Sequence, residues 1–168
     1  MPPVVFGMND VYDYNSDIRN PRKMASGLEG GVLSPAYHQS VRLAAFISTV
    51  LILLASVSTC RPQNVFATTI LVIIAWQYSA LPLRLKEIPL LDSLSNGVIV
   101  FISWFVGYSF GGGSLSNAPG KGYILALCSA GVHALGAATD VDSDVAAGQM
   151  TIATFLGPRP ATMFSALA

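Results

Sequence analysis

The sequence predicts an all-α protein, a multi-span transmembrane helical bundle, and three observations carry that expectation. Hydrophobic residues make up 52% of the chain and charged residues only 11%, where a soluble domain typically carries about 25% charged residues. The mean hydropathy is +0.57. Four apolar runs each approach the roughly 20 residues that a membrane-crossing helix needs. The composition also excludes one class of partner: the formal net charge is zero, and basic residues scattered singly or in pairs make no stripe able to neutralise a nucleic-acid backbone.

Residues 1–7 offer neither the basic start nor the apolar length of a signal peptide. They lead into the first acidic stretch as an apolar body too short to cross a bilayer, so the chain is expected to begin within an element. After Asn20-Pro21-Arg22-Lys23, a segment broken by Gly27, Gly30, Gly31 and Pro35 reads as a surface loop.

The first full span is predicted over 41–59, with Arg61-Pro62-Gln63-Asn64 as its turn. A second covers 65–80 and ends in Trp76 and Tyr78, aromatic residues of the kind enriched at membrane interfaces. A proline-flanked basic loop with Arg84 and Lys86 follows. The third span, 94–110, has Asp92 and Ser93 as cap candidates before it and Gly111-Gly112-Gly113 after it. The fourth, 123–139, is rich in Ala, Gly and Ser, which suits close helix packing. Residues 151–168 begin a further span, interrupted by Gly157-Pro158-Arg159-Pro160. The expected organisation is four complete spans with partial spans at both ends, a single membrane domain over residues 1–168 that is incomplete at both ends.

Cys60 and Cys128 are far apart in sequence, without metal-type spacing, and read as buried small residues.

The chemistry is concentrated in two acidic clusters. Asp10, Asp13 and Asp17 lie in one and Asp140, Asp142 and Asp144 in the other, together six of the nine acidic residues. Four spans separate them, an even number, so both clusters emerge on one side of the membrane. The Arg84/Lys86 loop is two crossings from either and shares that side. Lys and Arg in short loops favour the cytoplasm. Arg19, Arg22, Lys23, Arg42, Arg84 and Lys86 fall on the motif side, against Arg61 and Lys121 opposite. The motif side is therefore expected to be cytoplasmic or its equivalent.

On a helix, Asn9, Asp10, Asp13 and Asp17 line one face. Like charges so placed repel and are costly near a bilayer, so a cation should offset them. Hard oxygen ligands without His or thiolate favour Mg²⁺ shared with phosphate oxygens and water. A solvated acidic helix end is the bland alternative for one cluster alone, and a second cluster on the same side weakens it. Asp140 and Asp144 share a face, while Asp142 points elsewhere. An EF-hand loop fails here, because Val145 and Thr151 stand where its glycine and glutamate belong. Arg84 and Lys86 could clamp diphosphate oxygens or serve as ordinary membrane anchors, and Arg22 and Lys23 carry the same two readings. His133, seven residues before Asp140, either points into a cavity or hydrogen-bonds a neighbouring helix.

The pattern Asn9-Asp10-x-x-Asp13-x-x-x-Asp17 with Asn20-Pro21-Arg22-Lys23 resembles the first aspartate-rich motif of the UbiA-type intramembrane prenyltransferases. Asp140-x-x-x-Asp144 with Gly148 resembles their second, and the loop from Tyr78 through Arg84 to Lys86 is similar to the connection after the family's fourth helix. The resemblance implies a helical bundle around a lipid-open cavity, of which this chain would cover the end of the second helix to part of the seventh.

It also implies roles. Asp13, Asp17, Asp140 and Asp144 would be catalytic and, with Asn9 and Asp10, would hold Mg²⁺ against the diphosphate of an isoprenoid donor. Asn9, Arg22, Arg84 and Lys86 would bind that diphosphate. The partners would be the donor, a hydrophobic acceptor and the lipid bilayer. The segments Pro82-Leu83-Arg84-Leu85-Lys86 and 89–97, with 133–144, are most similar to the carotenoid-elongating branch, whose acceptor is a polyene such as lycopene; a quinone precursor, haem or a chlorophyllide-like pigment is the other acceptor choice. Two different readings stay open at this point: a non-enzymatic transporter using its carboxylates as ion sites, and an inactive truncated fragment.

Overall fold

A computed structural model describes residues 1–24 and 31–168, apart from the side chains of Pro21 and Arg22. Its described residues form helices and connections and no strand.

A π-helical turn, Pro3–Gly7, runs without a break into α1, Met8–Asp17, which carries the first acidic cluster. The short α2, Pro21–Met24, follows. A 3₁₀ turn, Pro35–Tyr37, leads into α3, His38–Val57, the first predicted span. The second becomes α4, Pro62–Ser79, with proline at its first turn, where a missing N–H costs nothing. The third and fourth become α5, Leu91–Phe110, and α6, Gly120–Thr139. The second acidic cluster lies on α7, Val141–Ala147.

Among the described residues, three stretches are long and apolar enough to cross a membrane: Pro35–Val57, Leu91–Phe110 and Gly120–Thr139. The remaining predicted span, α4, packs between α3 and α5 and spends its polar residues inside the bundle. Asn64 and Thr68 on it are fully buried. Asn64 accepts from Ser56 Oγ on α3 at 2.7 Å and donates to the Val106 carbonyl and Ser109 Oγ on α5 at 2.8 and 2.9 Å. This node joins three helices at the end of the bundle away from the acidic clusters. Arg61 adds to it by donating to the carbonyls of Ser109 and Phe110 at the end of α5, where the helix dipole favours a cation.

The further span begun at 151–168 is instead two short helices, α8, Ile152–Leu156, and α9, Pro158–Leu167. Gly157 sits between them with φ +93°, a conformation that suits glycine, and Pro158 then opens the new helix. Both pack on α6, around Ala134, Ala137, Ile152, Ala153 and Ala161.

The small residues read from the sequence act where α5 meets α6. A Cβ added to Gly97 would stand 2.7 Å from the Ala126 carbonyl oxygen, and one added to Gly122 would stand 2.4 Å from the Trp104 ring. Close approach of this kind is how membrane helices associate when burial of apolar surface supplies no drive. The N-terminal segment closes the other flank, with Val4 and Met8 packed on Ala45 of α3 and Ala75 of α4.

Candidate functional site

The chain path brings the two acidic clusters together. A cavity of ≈ 340 Å³ is lined by Asn9 and Asp13 on one wall and by Asp140 and Asp144 on another, with Lys23, Lys86 and His133 around it. Asn9 and Asp13 are four residues apart on α1 and so share a face. Asp140 sits at the joint between α6 and α7, with φ −104° and ψ 5°, and its carbonyl accepts the Asp144 N–H at 2.8 Å. The helix ends one turn later at Gly148, φ +72°, where the Gln149 N–H returns to the Asp144 carbonyl at 2.8 Å. That is the glycine stop expected of a helix C-terminus, and it explains why Gly148 belongs to the motif.

The basic loop closes over the first wall. Arg84 has a left-handed backbone, φ +43° and ψ 58°, uncommon for a residue with a side chain and a feature that clusters at functional sites. Lys86 Nζ donates to Asn9 Oδ1 at 2.8 Å and to Asp13 Oδ2. Arg84 contacts Asp13 Oδ1 at 3.2 Å and the half-buried Glu87 at 2.5 Å. Asp13 is 4% exposed, so these cations compensate a carboxylate withdrawn from water. Burial pushes the Lys86 ammonium below its ordinary range, while the Asp13 carboxylate acts in the opposite direction. Ser79, at the end of α4, donates to the same Asn9 Oδ1 at 3.2 Å.

Asp17 is also buried, but against Lys23, whose Nζ lies 2.8 Å from Oδ1. Burial pushes the Asp17 carboxyl up, opposed by its hydrogen bond to Lys23. Asp10 is raised as well, first by burial and further by the neighbouring Asp17 and Asp13 carboxylates, against the pull of Lys23 and Lys86. Neither Asp10 nor Asp17 is among the residues lining the cavity, although all three α1 aspartates share a helical face. Asp142 is exposed, as its position on α7 leads one to expect, and so are Cys60 and Cys128, where the sequence leads one to expect burial. Arg84 stays behind Asp13 rather than on the cavity wall. The side chain of Arg22 lies outside the described residues.

The donor set is made of hard oxygens, which fits Mg²⁺. One observation tests that fit directly: the amide oxygen of Asn9 and the carboxylate of Asp13 already converge on a single positive charge, the Lys86 ammonium. Among the described residues no three His, Cys, Asp or Glu side chains form a closed metal cage. Mg²⁺ does not need one, because it keeps several waters and takes one or two carboxylates together with substrate phosphate.

Four features were not read from the sequence. Asp92, expected as a cap, is completely buried and accepts the N–H of its neighbour Ser93 and that of Ile152, both at 2.7 Å. Thr151, beside Ile152, reaches Asp144 Oδ2 at 3.4 Å. Tyr78, read as an interfacial aromatic, is buried, with its hydroxyl 3.0 Å from His133 Nε2. Finally, a second cavity of ≈ 460 Å³ adjoins the first. It is predominantly apolar, with Phe6, Ile99 and Val100 in its wall, and shares Asn9, Tyr78 and His133 with the polar cavity.

The chain is similar to known proteins in sequence and in fold. The family model described as UbiA prenyltransferase family matches residues 4–168. The chain is 38% identical over 164 residues to the C(50) beta-cyclic carotenoids biosynthesis protein LbtBC of Dietzia sp. (strain CQ4), covering 96% of this chain and 37% of that protein. It is 36% identical over 167 residues to a lycopene elongase/hydratase of Corynebacterium glutamicum, covering 96% of this chain and 56% of the relative. The chain thus spans about half the length, or less, of these relatives. Its fold matches a UbiA homolog from Archaeoglobus fulgidus solved with DMAPP and Mg²⁺, at a TM-score of 0.75 and 21% identity over 98% of this chain and 58% of that one. The same homolog solved with GPP and Mg²⁺ gives a TM-score of 0.74 and 23% identity over 98% and 56% of the two chains.

Proposed function

The chain belongs to the UbiA prenyltransferase family, and from that premise we propose that it serves the Mg²⁺-dependent transfer of a prenyl group from an isoprenoid diphosphate to a hydrophobic acceptor in the membrane. The observation that carries this reading is the pairing of two cavities, one walled by Asn9, Asp13, Asp140 and Asp144, the other apolar, with Asn9, Tyr78 and His133 at their junction. A diphosphate and an isoprenoid tail need those two environments side by side.

Asn9, Asp13, Asp140 and Asp144 would hold Mg²⁺, with Asp10 and Asp17 behind them on α1. Bound there, Mg²⁺ supplies Lewis-acid stabilisation of the negative charge that develops on the leaving diphosphate. Lys86 and Arg84, which share Asp13 in this structure, and Lys23 on the cavity wall supply further positive charge for the same oxygens. Arg22 joins them by its place in the motif. The apolar chamber keeps water away from the allylic cation and brings the acceptor to it. The lycopene elongase relatives support a polyene acceptor, attacked through a carbon–carbon double bond. Residues 1–168 form one membrane domain in this reading, and the excess of Lys and Arg beside the motifs supports a cytoplasmic site.

The test is an assay in membranes with a labelled allylic diphosphate, a panel of polyene and aromatic acceptors, and Mg²⁺ or EDTA. Transfer is expected with Mg²⁺ and a polyene, and is expected to vanish in Asp13→Ala and Asp140→Ala. Transfer that survives either substitution or EDTA would overturn the metal assignment.

A further inference from the structure

We propose that Tyr78 and His133 form the proton relay that ends the reaction, taking the proton lost by the acceptor after the new carbon–carbon bond has formed. This rests on the alkene-acceptor reading above.

An alkene acceptor makes a demand that donor ionisation does not. The donor C–O bond breaks with its electron pair going to the diphosphate oxygen. The acceptor's π pair then forms the new C–C bond and leaves a cation on the acceptor. That cation is quenched when an adjacent C–H gives its proton to a base and its electron pair becomes a new C=C bond. The base must lie where the isoprenoid chains lie, and its own charge must be tolerated there.

Tyr78 and His133 meet that demand by position. Both line the polar cavity and the apolar one, so they stand at the boundary where the donor's reacting carbon would pass from diphosphate to hydrocarbon surroundings. The Tyr78 hydroxyl is 3.0 Å from His133 Nε2, and Ser93 Oγ is 3.2 Å from Nδ1. Both partners of the ring are hydroxyl groups, which donate or accept as required. The arrangement is therefore complete with Nδ1–H donating to Ser93 and Nε2 accepting from Tyr78. As Tyr78 Oη takes the acceptor's proton, its own proton passes to Nε2. Atoms and charge balance: a carbocation becomes an alkene, and the imidazole becomes an imidazolium.

The hydroxyl that holds Nδ1 is itself held in place. Ser93 and Asp92 are both completely buried, and the Asp92 carboxylate accepts the Ser93 N–H at 2.7 Å. An acidic side chain thus lies one residue from the group that holds Nδ1. Nothing in ion binding or diphosphate release calls for this chain of contacts. A histidine needed only for packing would not have to stand on the wall of both cavities.

The experiment uses the protein in membranes with an allylic diphosphate and a polyene, and compares wild type with Tyr78→Phe and His133→Gln. Glutamine keeps polar contacts to both hydroxyls without basicity. Two quantities are read: diphosphate release, and the distribution of elongated products by mass spectrometry and NMR. Both variants are expected to retain release to within about threefold, while the single deprotonated alkene falls by at least about tenfold relative to water-captured alcohol and double-bond isomers. General-base contributions of ~10²–10⁴-fold leave room for that change. An unchanged product distribution in both variants would overturn the relay, as would an equal loss of release and product, which marks a structural role. If the wild type elongates no polyene, the acceptor reading fails and the relay falls with it. That outcome is visible before any variant is compared.

Discussion

The carboxylate of Asp92 and the backbone N–H of Ile152, 60 residues apart in the chain, meet at 2.7 Å in the interior. The contact joins the start of α5 to the start of α8, and so to Thr151, whose hydroxyl reaches Asp144. Asp92→Ala would leave a buried N–H without its acceptor, at about 1–3 kcal/mol, and release the segment that follows the second acidic cluster. A lower melting temperature in detergent and weaker Mg²⁺-dependent donor binding are expected. Asp92→Asn keeps an acceptor oxygen and should lose less on both measures; equal losses in the two variants would argue against the hydrogen bond as the cause.

Asp13 and Lys86 form an ion pair largely withdrawn from water, with side-chain exposures of only 4% and 10%. Removing one partner of such a pair costs roughly 3–5 kcal/mol, because the other charge stays buried. Lys86→Ala and Asp13→Ala should each destabilise the fold, and the double variant should be less destabilised than the sum. Thermal or denaturant unfolding of the four proteins in one cycle measures this. Additive losses would show the pair is not coupled.

Asp17 has the opposite relation to stability. Burial pushes its carboxyl above the ordinary value of 3.8, so the folded state favours the protonated form. Its contribution is favourable below that ordinary value and is lost as pH rises through the raised one. Asp17→Asn should therefore raise the melting temperature of the Mg²⁺-free protein at neutral pH. The gain should shrink as pH is lowered toward 4, while prenyl transfer is lost. A lower melting temperature at neutral pH would contradict the sign.

The junction of α5 and α6 gives a packing test with an internal control. Gly97→Val places its Cβ 2.7 Å from a backbone oxygen, whereas a Cβ at Gly107 on the same helix meets nothing within 4 Å. Overpacking of this kind costs about 1–3 kcal/mol. Gly97→Val should unfold at a clearly lower temperature than wild type and Gly107→Ala should not.

Much of this architecture was legible from local signals. Apolar run length located α3 to α6, and parity of crossings put Asp13 and Asp140 on one side, because both depend only on composition and order. What escaped depends on contacts between distant residues. The position of Asp92 before α5 looked like a cap, and only folding shows that its acceptor serves α8. Tyr78 carried the signature of an interfacial aromatic, since nothing nearby in sequence marks His133 as its partner. Face arithmetic on α1 treated its aspartates alike, but Asp13 lines the cavity and pairs with Lys86 while Asp17 pairs with Lys23 and does not line it, and which cation meets which carboxylate is a tertiary matter. The interruption at 157–160 was visible, yet whether it bent a span or divided it into α8 and α9 turned on the backbone of Gly157.

The contacts of α3 have a consequence for how that helix sits in a bilayer. Most of its surface faces outward, and only Ala45 and Ser56 on it are buried. Val41 abuts Gly7, Thr49 accepts the Trp76 indole N–H at 3.0 Å, and Ser56 donates to Asn64 at 2.7 Å. With 3.6 residues per turn, Val41, Ala45, Thr49 and Ser56 fall on one narrow stripe. A greasy cylinder in oil has little to stop it spinning about its axis. Here two hydroxyl groups, two turns apart, act as a key in a slot, and the azimuth of the whole helix is set by a pair of side chains that a hydropathy profile would pass over.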